Sequence, residues 1–82
     1  MASIKALRWM CRRGMLELDL VLDRFLTIQG DVLSAEVDVQ LRALLEQKDP
    51  VLYQWLIVGV RPDAPHQAIV SSIRAVQQQR IY

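Results

Sequence analysis

The sequence is poor in the residues that build disulfides and metal sites. Its 82 residues include one cysteine and one histidine. A single thiol cannot form an internal disulfide, and one Cys with one His is too few for a zinc site. We therefore expect no bound metal and a reducing compartment. Cys11 lies on the apolar side of its helix, so we interpret it as a small buried hydrophobic residue.

Catalytic machinery is equally sparse. Catalysis needs a nucleophile with a base, a pair of carboxylates in a pocket, or a metal. The three glycines are scattered and do not form a phosphate-binding loop. His66 follows Pro65 at a helix start, where we expect it to be exposed or to cap the helix. The sequence therefore predicts a protein that is not an enzyme and binds no cofactor stably.

The chain also lacks an excess of one charge and any long apolar run. Ten Lys and Arg against nine Asp and Glu give a net charge of +1, whereas nucleic-acid-binding proteins usually carry a clear positive surplus. No apolar run reaches the ~20 residues that span a bilayer. The first residues, which include Lys5 and Arg8, do not resemble a secretory signal. We expect a cytoplasmic protein that binds neither nucleic acid nor membranes and is monomeric when free.

What the sequence does contain is helical periodicity. Hydrophobic residues make up 52% of the chain, and they recur at helical spacing without alternating β-branched runs. The predicted fold is an all-α, compact five-helix bundle with short loops, forming one domain over residues 1–82 that frays after about residue 79. The predicted helices run from about Ser3 to Cys11, from about Met15 to Ile28, from Ser34 onward, from Asp49 to Gly59, and from about Pro65 to Gln79.

Local signals mark the ends of these helices. Ser3 and Ser34 are predicted N-caps, and Gly30 and Gly59 are predicted stops. In "DPVLYQWL", Asp49 is read as an N-cap, with Pro50 at the first helical position. The predicted inward-facing residues are Ile4, Leu7 and Cys11; Met15, Leu18, Val21, Leu22, Phe25 and Leu26; Val37, Leu41, Leu44 and Leu45; Leu52, Trp55 and Leu56; and Ile69, Ile73 and Val76.

The stretch "CRRGMLELD" interrupts this pattern with charges at a tight corner. One interpretation is a helix cap, with Gly14 as the N-cap and Glu17 as the third helical residue, an arrangement worth ~1 kcal/mol. That interpretation does not explain the adjacent Arg12 and Arg13, which would add positive charge to the positive end of a helix dipole. A partner that supplies carboxylates would explain them. Trp9 is either buried by its helix or exposed at an interface beside Arg12.

Two groups of residues resemble one known family. The first group is Trp9, Cys11, Arg12, Arg13, Gly14, Met15, Glu17, Leu18 and Asp19. The second is Leu44, Leu45, Asp49, Pro50, Leu52, Trp55 and Leu56. Together they resemble the RGxxE proteins that assist assembly of succinate dehydrogenase, also called flavinylation factors. The resemblance covers roughly residues 4 to 76 and is specific, since both motifs occur in the right order and separation.

The resemblance implies a five-helix bundle and a binding role. Such proteins bind the flavoprotein subunit of succinate dehydrogenase, and often that of fumarate reductase, and promote covalent attachment of FAD to a histidine of that subunit. FAD would then belong to the client protein. The expected partner-binding residues are those of the motif, Arg13, Gly14 and Glu17. We also expect the neighbouring Trp9, Arg12 and Asp19 to be partner-binding residues.

Three other functions remain open. Some members of the family have been described as antitoxins of a toxin–antitoxin pair that acts on the cytoskeleton, which is also a binding role. A nucleic-acid-binding module could use Arg8, Arg12 and Arg13, and would show strongly salt-dependent binding. A redox enzyme could use Cys11, and would lose its function on a Cys11→Ser change.

Overall fold

Five α-helices make up most of the structure, a computed structural model that describes residues 4–29 and 33–78. The helices are α1 (Ile4–Met10), α2 (Leu16–Gln29), α3 (Ala35–Leu45), α4 (Asp49–Tyr53) and α5 (Gln67–Gln78). A π-helical turn, Gln54–Val58, extends α4, and a 3₁₀ turn, Ala64–His66, precedes α5. The predicted five-helix, all-α fold is confirmed. The predictions for Ser3, for Gly30 and for the last residues fall outside the described ranges.

The core forms around α2, which packs against α5, α1, α4 and the π-helical turn. The apolar periodicity of each helix predicted which side faces this core. Met15 and Val37 are partly buried against it, and the side chain of Ile4 lies outside the described part. The remaining predicted inward residues are buried: Leu7, Cys11, Leu18, Val21, Leu22, Phe25, Leu26, Leu41, Leu44, Leu45, Leu52, Trp55, Leu56, Ile69, Ile73 and Val76.

Two predicted helix boundaries are confirmed by their hydrogen bonds. The Ser34 hydroxyl accepts the N–H of Val37 at 3.1 Å, which is the bond expected of an N-cap at the start of α3. Gly59 has φ +100°, in the left-handed region, and its N–H and that of Val60 both donate to the carbonyl of Gln54 at 2.9 Å. Glycine takes this conformation without a Cβ penalty, so the helix ends there.

The predicted start of α4 is wrong by one residue. Lys48 is the N-cap, with an extended backbone and no capping side chain, and Asp49 is the first helical residue. Pro50 is consequently second, still within the first turn, where its missing N–H would have had no intrahelical partner. The carboxylate of Asp49 does not cap its own helix because it pairs with Arg13, at the corner between α1 and α2.

Candidate functional site

The corner between α1 and α2 spans residues 11–15 and includes a left-handed glycine. Gly14 has φ +82°. The N–H of Asp19 donates to the carbonyl of Met15 at 2.9 Å, so Met15 holds the cap position and α2 begins at Leu16. The predicted capping arrangement of Gly14 with Glu17 is therefore wrong. Because Gly14 turns the chain one residue before the cap, Glu17 becomes the second helical residue instead of the third.

Arg13 points inward from this corner and is bound by its own chain. Its Nε donates to Asp49 Oδ1 at 2.7 Å, and its Nη2 donates to the carbonyl of Gln47 at 2.8 Å. Its Nη1 donates to the carbonyls of Leu45 at 3.0 Å and Met10 at 3.2 Å. The side chain is only 17% exposed. An arginine suits this place because its planar guanidinium supplies five N–H donors in a fixed geometry.

The position of Arg13 also explains how its positive charge is accommodated close to the start of α2, which is the positive end of a helix dipole. Met10 is the last residue of α1 and Leu45 the last residue of α3. Carbonyls at helix C-termini lack intrahelical donors and carry the negative end of the helix dipole. The guanidinium therefore lies at the negative ends of two helices, where a positive charge is favourable.

A second bond fixes the backbone at the same residue. Asp19 is half-buried, and its Oδ1 accepts the backbone N–H of Arg13 at 2.7 Å. A carboxylate that accepts a backbone N–H makes a stronger bond than a neutral acceptor would. Arg13 is thus bound through its side chain to α1, α3 and α4 and through its backbone to α2. The conformation of the peptide that leads into Gly14 is therefore set by contacts with four helices.

Arg12 and Glu17 differ from Arg13, because both are exposed. Neither side chain has a hydrogen bond or ion pair with the other described residues. Between them lies Gly14, also exposed, where an added Cβ would meet no atom within 4 Å. The corner therefore presents an available cation, an available carboxylate and an open stretch of backbone.

Large apolar side chains surround these charges. Trp9 is 75% exposed, Leu16 69% and Leu20 62%. Trp9 and Leu20 line an open groove of about 660 Å³ between α1 and α2, and Arg12, Gly14 and Asp19 also border it. Clustered exposed apolar residues with a polar rim are typical of protein interfaces. We define the corner surface as Trp9, Arg12, Gly14, Leu16, Glu17 and Leu20.

The sequence of the chain, including the corner, is similar to that of a known family. Residues 5–77 match the family described as "Flavinator of succinate dehydrogenase". The chain belongs to this family.

Individual relatives of this flavinator-family chain carry a related name. This chain is 42% identical to FAD assembly factor SdhE of Coxiella burnetii, over 90% of this chain and 88% of the relative. It is 48% identical to FAD assembly factor SdhE of Legionella pneumophila strain Lens, over 83% and 86% respectively. The protein of the same name from Shewanella oneidensis is 40% identical over 88% and 89%. No solved structure matches the chain.

Sequence reasoning missed two residues of the corner surface in this flavinator-family chain, Leu16 and Leu20. They lie four residues apart on α2, on the side opposite the inward stripe that contains Leu18 and Leu22. Residues at this spacing share a helix face. Two leucines on an otherwise outward face were therefore a readable signal of an apolar contact surface.

His66 was predicted to be exposed or to cap the helix, and its side chain does neither. It is half-buried, and its ring packs against Trp55 with a centroid distance of 5.5 Å. Its Nε2 lies 3.5 Å from the side-chain nitrogen of Gln47, and its Nδ1 is buried without a partner among the described residues. The 3₁₀ turn before α5 brings the ring inward, so His66 contributes to packing on the side of the molecule where α3 meets α4.

Metal sites and membrane-spanning helices are both absent from the described residues. Across 4–29 and 33–78, no three metal-ligating side chains come together. In those ranges no helix is both long enough and apolar enough to cross a bilayer.

Cys11 is buried, with 3% of its surface exposed, and burial raises the pKa of its thiol to about 11. We predict that native Cys11 reacts slowly with iodoacetamide, because the thiolate is the reactive form. At pH 8 the shift from 9.0 to about 11 leaves about 100-fold less thiolate than an unshifted thiol has. Mass spectrometry of alkylated protein at pH 8 tests this, with the chain in guanidinium chloride as the control. Equal rates in both states would contradict it.

Proposed function

We propose that this chain binds the flavoprotein subunit of succinate dehydrogenase and promotes covalent attachment of FAD to that subunit. Membership of the flavinator family and the printed names of the relatives support this role. The observation that carries the proposal is the corner surface. There exposed apolar side chains surround an open glycine, a cation and a carboxylate, and neither charge has a partner among residues 4–29 and 33–78.

Each part of the corner surface suits a different contact with the subunit. Trp9 and Leu20 offer apolar area that becomes buried on binding, which is the main favourable term in most association reactions. Arg12 can donate to carboxylates or carbonyls of the client, and Glu17 can accept from client donors. Because Gly14 has no side chain, the client backbone can approach the corner closely.

Arg13 and Asp19, also proposed for this site, form its inner edge. Their hydrogen bonds hold the backbone between Arg12 and Gly14. A surface that is already ordered loses less conformational entropy on binding than a mobile one does. We propose that their contribution to the site is to order the corner.

The mechanism we propose requires no catalytic group on this chain, and FAD is held by the client. By binding one conformation of the flavoprotein subunit, the chain raises the population of that conformation. If FAD and the attachment histidine are aligned in it, the bond forms faster through proximity and orientation alone. The flavoprotein of fumarate reductase is proposed as a second client. The setting is proposed to be the cytoplasm, with a monomeric free chain.

Replacing Glu17 by alanine is expected to reduce flavin attachment strongly. A hydrogen bond to a charged group contributes roughly 1.5–3 kcal/mol, so its loss weakens binding by about tenfold or more. The measurement is in-gel fluorescence of covalent flavin on the subunit, in cells that lack this protein and receive either variant. Glu36→Ala is a matched control, because Glu36 is also exposed and also the second residue of its helix. It should restore full fluorescence.

Three results would count against the proposal. Equal fluorescence with Glu17→Ala, with wild type and without the protein would show that flavin attachment in that host needs no assistance. Full restoration by Glu17→Ala would show that Glu17 makes no contact with the client. Co-purification with a small toxin, without the flavoprotein subunit, would favour the antitoxin role.

A further inference from the structure

The ion pair between Arg13 and Asp49 joins segments 36 residues apart in the sequence. We propose that Asp49 is a positioning residue for client binding. Through Arg13 it holds the corner surface in its binding conformation, and neither residue touches the client. This inference rests on the proposed function, because it assigns Asp49 to the same binding site.

The hydrogen bonds of Arg13 within the chain leave few of its N–H groups free to bind a partner. Four bonds within the chain use all three guanidinium nitrogens, out of the five N–H groups that arginine has. The Arg13 side chain is 17% exposed and that of Asp49 is 32% exposed. Arg12, its neighbour in the chain, is exposed, and its side chain has no hydrogen bond or ion pair with the other described residues, so it is available to a client.

Asp49 is the only carboxylate among these four acceptors, the other three being backbone carbonyls. A charged acceptor makes a stronger bond than a carbonyl does, so Asp49 decides where the guanidinium is directed. The backbone N–H of the same arginine donates to Asp19, and the next residue is Gly14. The position of the side chain therefore determines the geometry of the exposed corner.

The ion pair between Arg13 and Asp49 links the two groups of residues that resemble the family. The group around Gly14 supplies the exposed surface, and the group around Asp49 supplies the carboxylate that orders it. When Asp49 is removed, Arg13 gains freedom that binding must then restrict, and affinity falls without the loss of any client contact.

The test is a double-mutant cycle of Arg13→Ala and Asp49→Ala in the full chain. Affinity for the purified flavoprotein subunit is measured by calorimetry. Hydrogen exchange of the Arg13 amide, which donates to Asp19, reports on the free protein. We expect about tenfold weaker binding for each single variant and no further loss in the double variant. Arg13 amide exchange should become about tenfold faster in Asp49→Ala.

Two further variants control for folding. Asp49→Asn keeps an oxygen acceptor for Arg13 Nε, so it should retain more affinity for the subunit than Asp49→Ala does. This variant keeps the inference testable if Asp49→Ala does not fold. Asp63→Ala removes an exposed carboxylate that makes no capping bond at the start of the 3₁₀ turn. Binding and Arg13 exchange should be unchanged in Asp63→Ala.

The inference is overturned if Asp49→Ala binds as wild type does while Arg13→Ala is weakened, since Arg13 would then contact the client directly. Additive losses in the cycle, or unchanged exchange of the Arg13 amide, would also overturn it. If the wild-type chain fails to bind the subunit at all, the proposed function fails and this inference fails with it.

Discussion

Gly14→Arg is expected to abolish covalent flavin attachment while the chain remains helical. An added Cβ at Gly14 would meet no atom of the described residues within 4 Å, apart from Gly14 and its two chain neighbours, so there is open space for a side chain at this position. It projects from the middle of the corner surface, between Arg12 and Glu17. A client backbone that packs against Gly14 would be displaced by several ångströms, and every neighbouring contact would be lost with it.

The cost to folding is smaller than the cost to binding. A residue with a Cβ at φ +82° loses roughly 1–2 kcal/mol relative to glycine. Small domains have about 5–15 kcal/mol of stability, so the variant should fold. We expect at least a 100-fold loss of affinity, which corresponds to about 2.7 kcal/mol. Circular dichroism, thermal unfolding and in-gel flavin fluorescence together measure the two effects.

Two alanine variants separate backbone strain from obstruction. Gly14→Ala has the same positive φ as Gly14→Arg but adds a single methyl group. Gly59→Ala introduces strain at φ +100°, at the end of the π-helical turn, and leaves the corner intact. Both should be destabilised, and Gly59→Ala should retain full flavin attachment. If Gly14→Arg supports normal attachment, the client does not bind at this corner.

The fold could be predicted from the sequence because burial follows helical periodicity. Leu18, Leu22 and Phe25 are spaced to face one side of α2, and all three are buried. Helix ends were less accurate, because tertiary contacts decide them. Asp49 has the side chain of a good N-cap, but its carboxylate bonds to Arg13, so the helix begins from Lys48.

The site was predictable only in part, and the two arginines show why. Arg12 and Arg13 are identical side chains at adjacent positions. The motif contains Arg13 and not Arg12, but in the structure Arg13 is bound within its own chain and Arg12 is exposed. What separates them is the approach of the end of α3 and of the turn that follows it, which supply the carbonyls of Leu45 and Gln47 to Arg13 alone. Local sequence carries no information about this long-range contact, whereas the positive φ of Gly14 and the exposed charges arise locally.

Trp9→Ala is expected to weaken binding of the flavoprotein subunit by about 30-fold without destabilising the free chain. Truncation of a tryptophan at the centre of an interface typically costs about 2 kcal/mol or more. Because Trp9 is 75% exposed in the free protein, truncation of its side chain removes little buried apolar surface from the core. Calorimetric titration of the subunit measures affinity, and thermal unfolding measures stability.

Val39→Ala is the matched control, because Val39 is 66% exposed on α3 and is not part of the corner surface. Binding by this variant should equal that of the wild type. The kind of contact can also be tested. The loss of affinity in Trp9→Ala should be independent of salt. The heat-capacity change on binding should be less negative in Trp9→Ala than in the wild type, because burial of apolar surface makes this change negative. The loss in Arg12→Ala should shrink as salt screens the charge.

Salt dependence then distinguishes two forms of the interface. If both losses behave as described, the apolar groove and the charges around Gly14 act together, with Trp9 providing affinity and the charges orientation. If Trp9→Ala binds as tightly as the wild type, the groove between α1 and α2 is not occupied by the client. The contact would then be confined to the charged residues that flank Gly14, and binding should be weak at high salt.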